Sequence, residues 1–197
     1  MEYSASMVSC LFWLAETRKT AGLMMSGLSK EEIKKIALPE NIYQVKASDR
    51  AIRILGVTYK RLESLPKVLV QSMATADIAT AKQLVLISIM KTDRLFFEFV
   101  YEVYRERMLL GENVLPDRDI NRFFDDKLMQ SNIVAGFSES AIQKLKQCFS
   151  RMLFEAGLIS VAAGTRTITP VLLDYKVRKQ LEDNGMASFI HAITGEN

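Results

Sequence analysis

A chain of 197 residues that is 49% hydrophobic and 25% charged has an ordinary globular composition and can form one large domain or two small ones. Nine Gly and four Pro argue against long disordered linkers, and a net charge of +3 identifies no partner by itself. The charge is uneven: +4 over residues 1–75, −2 over 76–130 and +1 over 131–197, which permits nucleic-acid binding without demanding it.

The N-terminal run VSCLFWLA is apolar, but Glu2 stands where a signal peptide would carry basic residues and no cleavage pattern follows. Residues 8 to 26 carry apolar residues at helical spacing, ending near Ser26-Gly27. Ser29-Lys30-Glu31-Glu32 reads as a capping box opening a helix to about Ala37, which Pro39 stops. After PENIYQVK, Ser48 suits the N-cap of a helix to about Ser64, and Pro66 the first turn of another. From Asp77 to Leu110 the pattern stays helical, with a possible break at Lys91-Thr92-Asp93. Within it LVLISIM, residues 84–90, is about a third of a bilayer span. Pro116-Asp117 starts the next helix, and Ser138 caps one from Glu139 to about Ala156 that ends on Gly157. LISVAAGTRTIT then reads as two strands around a turn at Gly164. A helix from Asp174 to about Asp183 and a last short one follow.

Helix, helix, longer basic helix and hairpin is the order of a winged helix, here with helices about 93–110, 117–130 and 139–156. In such a fold the third helix enters the major groove and the hairpin lies along the backbone. On residues 139–156, Ile142, Leu145, Phe149, Met152, Leu153 and Ala156 form an apolar stripe. Ser140, Gln143, Lys144, Gln147 and Arg151 fall on another face. Gln and Lys side chains can address adenine and guanine edges, and Arg166 on the wing, with Thr165 and Thr167, can reach phosphates. The bland alternative is a hairpin that only covers a core.

SDRAIRILGVTYKRL divides similarly. Ile52, Leu55, Tyr59 and Leu62 are expected inward and Arg50, Arg53 and Lys60 outward, with Lys46 before the cap and Arg61 beside them. With residues 29–37 this suggests a helix-turn-helix-like module, although about ten residues separate the helices where a reading motif uses three or four. A solvated face of a bundle helix is the alternative, and phosphate contact is expected here rather than base reading.

Chemistry finds little support. Asp117 and Asp119 suit a helix first turn, where the helix dipole favours their charge, and the adjacent Asp125 and Asp126 point apart. Cys10 and Cys148 lie far apart in helical patterns and read as buried free thiols of a reducing cytoplasm. With His191 as the single histidine and no CxxC, neither a zinc site nor a catalytic triad can be assembled. Thr92-Asp93-Arg94 and Glu98 beside LFFEFVYEVY are expected in the core with charged partners. The expectation is a cytoplasmic protein without membrane partner, cofactor, metal or catalytic residue.

EYSASMVS, GLSKEEIKKIALPENIYQ, IMKTDRLFFEFVYEVYRE, DRDINRFFDDK and IQKLKQCFSRMLFEAGLI together resemble the BrxA family of bacterial BREX bacteriophage-exclusion systems, in order and over almost the whole chain. The resemblance implies a mainly helical, non-enzymatic component of phage defence that binds double-stranded DNA, with other BREX proteins as candidate partners. The combined expectation is a mainly α protein: a helical, helix-turn-helix-like module over residues 1–75, packed on a C-terminal module over 76–197. The latter holds the winged-helix-like segment, about 93–170, with one β-hairpin. The alternative function is a scaffold that assembles other defence components without touching DNA. Apolar patterning is the same on helix and subunit faces and leaves the oligomeric state open.

Overall fold

A computed structural model describes residues 2–196. A 3-10 turn at Ser6–Ser9 precedes α1 (Leu14–Met25), α2 (Lys30–Ala37), α3 (Ser48–Glu63), α4 (Lys67–Thr75) and α5 (Ile78–Thr92). Next come α6 (Arg94–Phe99), a π-helical segment (Val100–Tyr104) and α7 (Arg105–Leu109), then β1 (Val114–Leu115), α8 (Asp117–Gln130), α9 (Asn132–Ala135) and α10 (Glu139–Ala156). β2 (Arg166–Thr167), α11 (Tyr175–Asp183) and α12 (Ala187–Thr194) complete the described chain. Among the described residues, no helix is long and apolar enough to cross a membrane.

Local chemistry explains most boundaries. The Ser29 hydroxyl and the Glu32 carboxylate form the expected capping box of α2. Asp77 accepts the amides of Ala79 and Thr80, Asp93 that of Phe96, and Ser138 that of Ala141. Gly157 ends α10 at φ +84°, a conformation that costs other residues steric strain. Two boundaries depart from expectation. Residues 8–26 are not one helix, because Trp13 sits in the left-handed region (φ 54°, ψ 52°) and separates the 3-10 turn from α1. Ser48 lies inside α3, whose N-cap Ala47 has no side-chain cap.

The larger core gathers around α5, where every residue from Leu84 to Met90 is buried. Five phenylalanines join the helices beside it. Phe149 of α10 stacks at centroid distances of 5.0 Å on Phe96, 5.3 Å on Phe99 and 5.4 Å on Phe124, and Phe99 lies 5.4 Å from Phe123. A smaller cluster of Trp13, Ile33, Ala37, Tyr43, Ala51, Ile54 and Leu55 holds α2 and α3 together, whereas α4 contributes Leu69, Val70 and Met73 to the larger one.

Of the charges near LFFEFVYEVY, Glu98 finds a buried partner, whereas Arg94 stays exposed and Asp93 caps α6. Lys127, only 5% exposed, reaches Glu98 Oε2 at 2.6 Å and Glu102 Oε1 at 2.9 Å. Glu98 also accepts from Arg94 Nε at 2.7 Å and from the Tyr3 hydroxyl at 2.8 Å. Burial pushes the Glu98 carboxyl up, but hydrogen bonds from Lys127, Arg94 and Tyr3 outweigh it and leave the group below its ordinary value. Since the folded value lies below the unfolded one, this stabilisation is complete above the unfolded pKa and is lost as pH falls through the folded value. Urea titrations should therefore show the wild type losing more stability than Glu98→Gln between about pH 5 and pH 3. Lys127→Met, which leaves Glu98 short of one partner, should cost about 3 kcal/mol at neutral pH.

Candidate nucleic-acid interface

The only regular sheet among the described residues is β1 with β2, antiparallel, Val114 opposite Thr167 and Leu115 opposite Arg166. The expected hairpin is present but reduced to an isolated bridge between Ile159 and Ile168, backed by Ser160 N–H to Thr167 O and Thr169 N–H to Leu158 O, both 2.9 Å. Residues 166–168 thus lie between 158–160 on one side and 113–115 on the other. Gly164, at φ +87°, stands within the intervening turn, in the backbone region glycine tolerates best. Tyr104, buried in the π-helical segment, donates its hydroxyl to Leu158 O at 3.3 Å and so ties α6–α7 to the exit of α10.

α10 divides as the spacing predicts. Ile142, Leu145, Phe149, Met152, Leu153 and Ala156 are all buried, while Ser140, Gln143, Lys144, Gln147 and Arg151 are exposed. Arg151 reaches Glu155 at 2.8 Å, a largely exposed (i, i+4) pair that water screens. Between α8, α10 and the turn runs a cleft of about 470 Å³, lined among others by Gln143, Lys146, Gln147, Arg151, Ala162 and Ala163. Lys146 was missed from sequence. It lies three positions after Gln143 and faces α8, bonding Asn121 Oδ1 at 2.9 Å, so that spacing carried the signal.

Arg166 requires a correction. It is 7% exposed and turned inward, where Nη1 meets Asp117 Oδ1 at 2.6 Å and Nε donates to Ala162 O at 3.2 Å. It anchors the turn from within, at the wall of the cleft, and does not project from the wing as expected; Thr165 and Thr167 remain exposed. Of the other acids of α8, Asp119 pairs with Arg107, and Asp126 lies 3.9 Å from Arg122 at the surface.

On α3, Lys46 before the helix and Arg50, Arg53 and Lys60 on it are exposed, as expected. The inward face is turned from the expected one. Ala51, Ile54, Leu55, Thr58, Arg61 and Leu62 are buried, but Ile52 is 39% exposed and Tyr59 half-buried. Arg61 is the second correction: at 3% exposure it lies in the interior, its Nη1 donating to Leu11 O at 3.0 Å and Phe12 O at 3.1 Å. The packing of Ile54 against the smaller core rotates the helix and carries Arg61 in. Desolvation lowers the Arg61 pKa to about 10, which still leaves it charged at neutral pH. Among the described residues, no carboxylate pairs with Lys46, Arg50, Arg53, Lys60 or Lys144.

Both cysteines are free and half-buried. Cys148 donates to Met7 O at 3.3 Å, joining α10 to the 3-10 turn, and burial pushes its thiol up to about 12.

The fold is thus that of a mainly helical protein with a small antiparallel sheet, whose amphipathic α10 turns a polar face outward beside a short exposed turn. The chain belongs to the BrxA family, whose model matches residues 1–185. It is 37% identical over 194 residues to the BREX protein BrxA of Bacillus cereus (strain H3081.97), covering 98% of this chain and 97% of that protein. To the BREX protein BrxA of Paramagnetospirillum magneticum (strain ATCC 700264 / AMB-1) it is 24% identical over 91% of this chain and 90% of the relative. The crystal structure of an uncharacterized protein from Magnetospirillum magneticum superposes over 100% of both chains with a TM-score of 0.84 at 22% identity, a likeness of fold.

The anchoring role of Arg166 separates two substitutions. Arg166→Ala, which removes the tie to Asp117 and leaves Ala162 O without its donor, should cost about 2 kcal/mol and speed hydrogen exchange at Thr167. Asp117→Ala, which removes only the exposed partner, should cost under about 1 kcal/mol.

Proposed function

We propose that this chain is a non-enzymatic, double-stranded DNA-binding component of a bacterial BREX anti-phage system, holding the duplex mainly by its phosphates. The observation that carries the reading is the complete division of α10: a buried apolar stripe opposite an exposed Ser/Gln/Lys/Arg face. That face stands beside a turn held rigid by Arg166 and Tyr104. The order α6–α7, β1, α8, α10, then 158–160 and 166–168 in one small sheet, supports a winged-helix arrangement over about residues 93–170. In it Gln143, Lys144 and Gln147 approach a groove with Lys146 and Arg151 beside them, and the turn around Gly164 runs along the backbone. Lys46, Arg50, Arg53 and Lys60, exposed and without carboxylate partners, supply further phosphate contacts in the helix-turn-helix-like module. Arg166 serves as a strut beneath the first of these surfaces. The family relationship supports membership of a BREX system, because the curated relatives carry that name.

A scaffold that docks other defence proteins is the second reading. Leu172 and Tyr175, 94% and 76% exposed beside α11, favour it as an apolar surface.

Fluorescence anisotropy of a labelled duplex of about 30 base pairs, titrated at several salt concentrations, separates the two. Each neutralised phosphate contributes about −0.9 to the slope of log K against log salt. Lys144→Glu should flatten the slope by about one phosphate and weaken binding to all sequences alike, and Lys46→Glu with Arg50→Glu by about two. Absence of binding at low salt, with partner capture retained in wild type and lost in Leu172→Asp, would establish the scaffold instead.

A further inference from the structure

Arg61 does more than close a turn. It lines a cleft of about 320 Å³ formed by the 3-10 segment, one face of α3 and the end of α5. Arg53 and Lys60 stand exposed at its mouth, and Met7, Val57 and Ile89 supply an apolar wall. Arg53, Gly56, Val57 and Lys60 fall at i, i+3, i+4 and i+7, so a single face of α3 turns toward this space.

Two observations indicate that the space is meant to hold an anion. The first is charge. A guanidinium carries five N–H donors, and the bonds to Leu11 and Phe12 engage Nη1 alone. Among the described residues no carboxylate lies within 4.0 Å of Arg61, although a buried cation is ordinarily compensated by a close anion. Asp93 is the one acid lining the cleft; its side chain caps α6 by accepting the Phe96 amide at 2.9 Å and attracts Arg61 and Lys60 from beyond ion-pair distance, so the cations still outnumber it. Three cations and one engaged carboxylate therefore face a common volume.

The second observation is room. Gly56 sits in the interior of α3 without a positive φ, where alanine would favour the helix. A Cβ built there meets nothing within 4 Å. Neither backbone conformation nor close packing calls for glycine at this position. Its effect is to keep the wall between Arg53 and Lys60 open.

We propose that this cleft binds a small phosphorylated ligand of mononucleotide size, the phosphate held by Arg61, Arg53 and Lys60 and the remainder resting on Met7, Val57 and Ile89. The site is separate from the face of α10, although its rim residues Arg53 and Lys60 also belong to the phosphate contacts proposed on α3. A duplex backbone lying on the surface cannot reach a side chain as enclosed as Arg61, whereas a terminal phosphate or a free nucleotide can.

The test uses the full chain with AMP, adenosine and inorganic phosphate as probes in thermal melts and calorimetry. At a concentration ten times its Kd, AMP should raise the melting temperature by about 2–4 °C, and adenosine at the same concentration should not. Inorganic phosphate should bind more weakly than AMP, since it lacks the part that meets the apolar wall. Arg53→Ala, an exposed change that spares the fold, should weaken AMP about tenfold or more. Gly56→Leu fills the cleft with a better helix former, so it should abolish the AMP shift without lowering the unliganded melting temperature. No AMP shift in wild type, or the same shift in Gly56→Leu, would overturn the proposal. Comparing 5′-phosphorylated with unphosphorylated duplex identifies the source. A preference for the phosphorylated end that Gly56→Leu removes assigns the site to DNA termini, and AMP binding without such a preference assigns it to a free ligand. Loss of duplex binding through Lys144→Glu leaves these readouts untouched, so the two proposals fail separately.

Discussion

The structure depends on removing α5 from water. Of its fifteen residues, ten are buried, including the whole run from Leu84 to Met90. A helix apolar on all sides must be surrounded, and α1, α3, α4, α6 and α10 do so. At roughly 1.5–3 kcal/mol for each fully buried Leu, Ile, Val or Met side chain, this helix supplies a large part of the driving force for folding. Of its buried polar residues, Ser88 donates to Val85 O at 2.7 Å within the helix and Gln83 Nε2 donates to the distant Leu172 O at 3.1 Å. α10 and α3 are placed by packing against this one helix, and their outward faces are whatever that packing leaves over.

The same constraint sorts the cations. Arg61, Lys127 and Arg166 are drawn inside, where each holds segments distant in sequence: Arg61 the turn before α1, Lys127 the pair Glu98 and Glu102, Arg166 the turn after α10. Buried charge of this kind is a specific positional device, since its removal leaves unsatisfied partners. Lys46, Arg50, Arg53, Lys60 and Lys144 stay in solvent, available for phosphate. The proposed duplex face and the Arg61 cleft are thus two products of one arrangement, the first built from cations left outside and the second from a cation carried in beneath two of them, Arg53 and Lys60.

The turn after α10 illustrates how a weak local element becomes a fixed one. Two short strands bridged at a single residue pair would not persist alone. Here residues 166–168 gain a second neighbour in 113–115, Arg166 closes on Asp117, and Tyr104 holds Leu158 from the π-helical segment. Rigidity at this position is what a backbone-contacting loop requires, because an ordered loop loses less entropy when it binds.

Much of this was determined by sequence alone. Caps at Ser29 and Ser138 and the stop at Gly157 are legible because each depends on a side chain and backbone a few residues apart. The two faces of α10 are legible because helical periodicity and burial agree over eighteen residues. Tertiary structure decided what depends on distant neighbours. It put Trp13 in a left-handed turn gripped by Arg61, and turned α3 so that Ile54 faces inward and Ile52 outward. It also paired β2 with a strand some fifty residues earlier, drew Arg61 and Arg166 from the surface, and left Gly56 beside an open cleft. Periodicity identifies the faces of an isolated helix, but which cation on a face's edge is buried depends on the carbonyls and carboxylates that other elements bring to it.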